Sequence, residues 1–175
     1  MHVRNGLLAV LLLGPAYTQQ LAREYARRSG APINSGQVSG TLERLARDGM
    51  VEPAGTDGAG RRRHGLSLDG RSAVEAWAES GVDEDSGAVL PLLASVDGAL
   101  AVGYASARLA LLRTAVDAPT ETGWPEALQR ERSRALAAAE AHWLASATAE
   151  LADDETRYEL PLAEEPRRGR PQRSA

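Results

Sequence analysis

The 175-residue sequence contains no cysteine and no phenylalanine, and aromatic residues make up only 4% of it. Without cysteine there can be no disulfide, no thiolate nucleophile and no Cys-ligated zinc. Lysine is absent as well: reading along the chain, all twenty basic residues are arginine. Long apolar runs are missing. The longest, around "GLLAVLLLG" (6–14), falls far short of the ~20 residues that a membrane-spanning helix needs. Arg4 ahead of this run gives it the look of a secretion signal, but it leads straight into an amphipathic segment and no A-x-A-like site follows. The expected compartment is therefore the cytoplasm. The three histidines (2, 64 and 142) have no metal-ligand spacing, and no G-x-S-x-G, P-loop or H-E-x-x-H pattern occurs. No catalytic residue, metal or cofactor is expected.

Charge is distributed unevenly. Residues 1–80 hold ten Arg against eight Asp and Glu, whereas residues 81–160 hold six Arg against fourteen acids. A mildly basic half beside an acidic half fits a polyanion reader joined to another module.

The spacing of apolar residues predicts helices nearly throughout. "RNGLLAVLLLG" reads as a buried helix stopped by Gly14-Pro15. A second helix runs from a capping Thr18 to Gly30, with Leu21, Ala22 and Tyr25 inward and Arg23, Arg27 and Arg28 elsewhere. A third, capped by Ser35, turns Val38, Leu42 and Leu45 inward and ends at Gly49. Next, "MVEPAGTDGAGRRRHGLSL" places two short runs around a turn-forming "GTDGAG", the pattern of a hairpin. A fourth helix starts at Asp69, with Ala73, Val74 and Trp77 on one stripe.

Three helices, a hairpin and a further helix give the order of a winged helix-turn-helix, expected over residues 1–80. The acidic "GVDEDSG" (81–87) reads as a linker, and 88–155 as a helical dimerisation and effector region. The charged, Pro-containing segment 156–175 reads as a disordered tail. The expected fold class is thus mostly α. Within 88–155, a long helix from Glu126 to about Ala152 carries Leu128, Ala135, Leu136, Ala139, Trp143, Ala147 and Leu151 at helical spacing.

"GPAYTQQL" (14–21), "GQV" (36–38), "TLERL" (41–45), "RDGMVE" (47–52) and "LSLDGR" (66–71), taken in order, resemble the PadR-like transcriptional regulators. The family's helix carries Gly-x-[Val/Leu]-Tyr-x-x-Leu-x-Arg-Leu, followed by an Arg-rich wing. Here Ser39 and His64 stand where the family usually has tyrosine. "AEAHWLASATAEL" (139–151) loosely resembles the family's last dimerisation helix. The resemblance implies a homodimer joined through its C-terminal helices, acting as a repressor on a palindromic operator of double-stranded DNA. It also implies a small aromatic effector near the dimer interface, for which Trp124 and Trp143 are the candidate contacts. Trp143 as plain helix packing is the alternative.

The residues themselves propose a reading surface. At 100° per residue, Gln37, Gly40, Arg44 and Arg47 face outward on the third helix, with Ser39 and Thr41 at the flanks. Asn34 and Ser35 stand at the end whose free amides favour phosphate. Gln37 can pair with adenine, and Arg44 suits guanine or phosphate. Arg61, Arg62 and Arg63 follow a flexible wing tip and are expected on the DNA backbone. Tyr17, Thr18 and Gln20, at the start of the second helix, are further candidates for phosphate contact. An ordinary solvated surface remains the alternative for the helix, and a ligand-binding or protein-interaction module that has lost DNA binding for the whole chain.

Overall fold

The computed structural model describes residues 3–82, 85–116, 124–152 and 159–160. Its elements run α1 (Val3–Leu11), α2 (Thr18–Ser29), α3 (Ser35–Arg47), β1 (Val51–Thr56), β2 (Arg62–Leu66), α4 (Leu68–Ser80), α5 (Ser86–Ala94), α6 (Gly98–Val116) and α7 (Trp124–Ala152). The chain is mostly helical, and its first six elements are arranged as a winged helix. Residues 83 and 84 of the expected linker and nearly all of the expected tail lie outside the described residues. No described helix is long and apolar enough to cross a membrane.

Local chemistry sets the boundaries, and three caps differ from expectation. Asn34, rather than Ser35, caps α3: its side-chain Oδ1 accepts from the Gln37 amide at 2.8 Å. α4 begins at Leu68 rather than Asp69, because the Ser67 hydroxyl oxygen accepts from the Gly70 amide at 3.0 Å. Thr18 lies inside α2, whose N-cap position is Tyr17 and lacks a side-chain cap. Gly30 and Gly49, both at positive φ, end α2 and α3 as the sequence predicts. Within the expected helical region, α5 and α6 are separated by a turn at residues 95–97. Asp97 reopens the chain into α6 by accepting from the Ala99 amide at 2.9 Å.

The inward stripes of α2, α3 and α4 are those expected, with Leu21, Tyr25, Val38, Leu42, Leu45, Val74 and Trp77 all buried. Val89, Leu92 and Leu93 of α5 are buried in the same core as Leu7, Leu21 and Tyr25, so packing continues across the expected linker. Gly81, at positive φ, lies so close to α6 that a Cβ there would fall 2.5 Å from the Arg108 amide nitrogen.

Arg28, off the apolar stripe of α2 in the sequence, is nevertheless buried. It is buried with Glu24: Nε lies 3.1 Å from Glu24 Oε2, and the guanidinium also donates to the carbonyls of Ser95 and Glu159. Buried charges persist only when paired and hydrogen-bonded, and here both conditions hold.

The predicted stripe of α7 divides between two faces. Ala147 and Leu151 pack on the core, together with Leu144, Ala137 and Ala141. Leu128, Ala135, Leu136, Ala139 and Trp143 instead face outward, with Leu136 54% exposed. Ser86, Tyr104, Arg108 and Glu140 tie α5, α6 and α7 together. Arg108 Nε donates to Glu140 Oε1 at 2.9 Å, and the Tyr104 hydroxyl donates to Ser86 Oγ at 3.2 Å.

Candidate nucleic-acid interface

α3 presents one face to its own core and another to solvent. Ser35, Gly36, Gln37, Ser39, Glu43, Arg44 and Arg47 are exposed, as is Asn34 at the cap, and Gly40 is half-buried. A Cβ built on Gly40 would meet nothing within 4 Å, and its backbone is ordinary helix. Internal packing therefore gives no reason for glycine at a helix-interior position where alanine would be about 1 kcal/mol better.

Thr41 is not on that face. It is 4% exposed: its hydroxyl donates to the Gln37 carbonyl at 2.8 Å and accepts from Arg44 Nη2 at 3.1 Å. A threonine between Val38 and Leu42 turns inward, satisfying its hydroxyl within the preceding helical turn. Its role is to hold Arg44.

Sequence reasoning passed over Glu43, which stands on the outward side of α3 and shares a cavity of about 510 Å³ with Tyr17, Ser39, Glu52, Arg62 and His64. Glu43 and Arg47 have the spacing of an i,i+4 pair, yet both are exposed and neither side chain makes an ion pair or a hydrogen bond among the described residues. The signal was there to find: at 100° per residue, position 43 lies between Arg47 and Ser39. A carboxylate there can accept from a cytosine amine and repels phosphate.

The wing is β1 and β2, paired antiparallel with Val51 opposite Leu66 and Thr56 opposite Arg62, and irregular between Pro53 and Thr56. Its tip is not the flexible loop expected. Asp57 Oδ1 accepts from the amides of Ala59 and Arg61, both at 2.9 Å, while Oδ2 binds Arg61 Nε at 2.6 Å. Desolvation pushes the Asp57 carboxyl up, but the bonds from Arg61 and Ala59 and the Arg61 charge outweigh it. The group titrates below the ordinary aspartate value.

The three wing arginines consequently differ. Arg61 is held by Asp57 and stacked over Tyr17, its guanidinium carbon 3.8 Å from the ring centroid. Arg63 Nη2 donates to the Pro15 carbonyl at 2.7 Å. Arg62 is exposed and makes no hydrogen bond or ion pair among the described residues. Of the three arginines expected on the DNA backbone, Arg61 and Arg63 are thus positioned by intrachain contacts and Arg62 is the most exposed.

Tyr17 is 6% exposed, its ring packed beneath Arg61 of the wing. Thr18 and Gln20 are half-buried at the start of α2. The β2 strand is tied to the same loop by a two-way backbone bridge, His64 to Ala16 at 2.8 Å and Ala16 to His64 at 3.0 Å. Burial and the neighbouring Arg62 charge lower the His64 pKa, keeping the ring neutral near pH 7.

The two candidate effector residues do not come together within one chain. Trp124 is 74% exposed at the first position of α7, and Trp143 lies on the same helix about 28 Å along it. No group of three or more His, Asp or Glu residues that could hold a metal ion occurs among the described residues.

No family model and no curated protein matches the sequence. Among solved structures, the chain is similar to PadR of Bacillus subtilis in complex with operator DNA. The identity is 14% over 85% of this chain and 98% of that one, with a TM-score of 0.40.

Proposed function

We propose that this protein is a DNA-binding transcriptional regulator of the winged helix-turn-helix type, acting as a homodimeric repressor in the cytoplasm. The observation that carries this reading is the solvent face of α3. Gln37, Glu43 and Arg47 stand around a glycine that no described neighbour requires, beside a wing whose Arg62 is exposed and, among the described residues, unpaired. Such a helix suits a major groove: Gln37 and Glu43 can read adenine and cytosine edges, Gly40 allows close approach, and Arg62 meets the flanking backbone.

The exposed apolar face of α7 supports pairing with a second copy. Two-fold symmetry then calls for a palindromic operator whose half-sites lie about 34–36 Å apart or multiples of that spacing. Pairing would also give Trp124 and Trp143 neighbours from another subunit, where a flat aromatic effector could lie between them.

The deciding experiment is a gel shift of the purified protein on the DNA upstream of its own gene, across a range of salt concentrations. A regulator retards this DNA and loses affinity steeply as salt rises. A chain serving as a protein- or ligand-binding module retards none, even at low salt.

A further inference from the structure

On the side of α3 away from the wing, a second cavity of about 170 Å³ lies between α1 and α3. Its lining is Val3, Arg4, Gln37, Thr41, Arg44 and Leu45. Two of these six residues are cations and none is an acid. Val3 and Leu45 give it an apolar floor, which strengthens electrostatic attraction at its mouth.

Both guanidiniums are positioned by contacts that leave most of their donors free. Arg4 Nη2 donates to Asp48 Oδ2 at 3.2 Å and lies 2.9 Å from Met50 Sδ. Arg44 Nη2 donates to Thr41 Oγ1, and Thr41 is fixed in turn by the Gln37 carbonyl. Each guanidinium carries five N–H donors in a planar fork that matches the oxygens of a phosphate group. The Gln37 side-chain amide adds another donor at the rim.

We infer that this cavity is a phosphate site, with Arg4 and Arg44 as its two arms. The inference rests on the DNA-binding reading and extends it. The backbone of the duplex is gripped on both flanks of α3, by Arg62 on one side and by Arg4 with Arg44 on the other. It also assigns Arg44 to phosphate rather than to guanine. Arg4 belongs to α1, outside the reading helix and the wing, and no sequence motif pointed to it. The same chemistry would accept free inorganic phosphate, so the test separates the two sources.

The test compares wild type, Arg4→Gln and Asp48→Asn by fluorescence anisotropy on an operator duplex and a random duplex over a salt series. Arg4→Gln should weaken both duplexes alike, by roughly tenfold, and flatten the slope of log K against log[salt] by about one. Asp48→Asn frees Arg4 and should hold or raise affinity. If Arg4 acted only by pinning Asp48, both substitutions would weaken binding equally and the inference would fall. An unchanged slope in Arg4→Gln, on DNA that wild type binds, overturns the site and leaves the DNA reading standing. Should wild type bind no duplex, titration with inorganic phosphate alone decides. A shift of the Arg44 side-chain resonance in wild type that is lost in Arg4→Gln keeps the site and assigns it to free phosphate. No shifts remove both the site and the DNA reading.

Discussion

Arg61 and Asp57 close the wing tip upon themselves: guanidinium Nε and carboxylate Oδ2 stand 2.6 Å apart, with the same arginine lying over Tyr17. The neighbouring Arg62 is exposed and, among the described residues, unpaired. Arg62→Ala should therefore weaken binding to all DNA sequences alike and lower the salt slope by about one. Arg61→Ala should leave that slope nearly intact. It should instead speed hydrogen exchange at the Ala59 and Arg61 amides, because the turn loses its anchor. Equal slopes lost in both variants would contradict this division.

His64 sets a pH dependence whose sign follows from its lowered pKa. The unfolded chain takes up the imidazole proton near 6.5, while the folded chain resists it because of burial and the Arg62 charge. Stability is then full above about pH 6.5 and declines as pH falls below that value towards the folded pKa. Thermal melts of wild type and His64→Gln between pH 5 and 7.5 test this, and the variant should show a flatter profile over the lower half of the range.

Two glycines should respond in opposite ways to alanine. At Gly70 a Cβ would lie 2.1 Å from the Met50 carbonyl oxygen, a backbone atom that cannot step aside. Gly70→Ala should destabilise the protein by about 3 kcal/mol or prevent folding. Gly40→Ala meets open space and should stabilise by about 1 kcal/mol, raising the melting temperature by about 2–4 °C. The same methyl should lower operator affinity. A variant that is more stable and still binds DNA normally would show that nothing approaches that face closely.

Leu136 lies on the outward face of α7, so an acid there should cost little in the isolated chain. If that face joins two copies, Leu136→Asp should halve the mass measured by sedimentation at micromolar concentration. Operator affinity should fall roughly a hundredfold, since two linked half-site contacts become one. An unchanged mass would separate α7 from any dimer interface.

Much of the architecture was legible because apolar spacing is a strong signal. Val38, Leu42 and Leu45 fixed the inward side of α3, and "GTDGAG" between two short runs marked the wing. Hydrogen-bond competition was harder to read. Asn34 and Ser35 are both good caps, and only backbone geometry decides between them. Asp57 looks like an ordinary turn residue until the chain brings Arg61 back to it four positions later. Glu24 and Arg28 have the spacing of a solvated surface pair, and their burial comes from a distant segment, α5, packing over α2. The outward face of α3 was legible in the apolar spacing, but the burial of Thr41 and the intrachain contacts of Arg61 and Arg63 were not. Whether an arginine is free depends on carbonyls far away in sequence, such as Pro15 for Arg63. α7 misled in another way. Having two oily sides, it gives a single-stripe reading that mixes the inner residues with the outer ones.

Arg28 fastens three remote stretches of polypeptide at once: its own helix through Glu24, the corner at Ser95, and the strand of chain arriving at Glu159. An arginine stays protonated at any pH a cell reaches, so the knot is never undone by loss of the arginine's own charge. Whatever loosens the C-terminal half from the N-terminal half has to pull those oxygens away mechanically, and a shift at one end would be felt at the other through a single planar group.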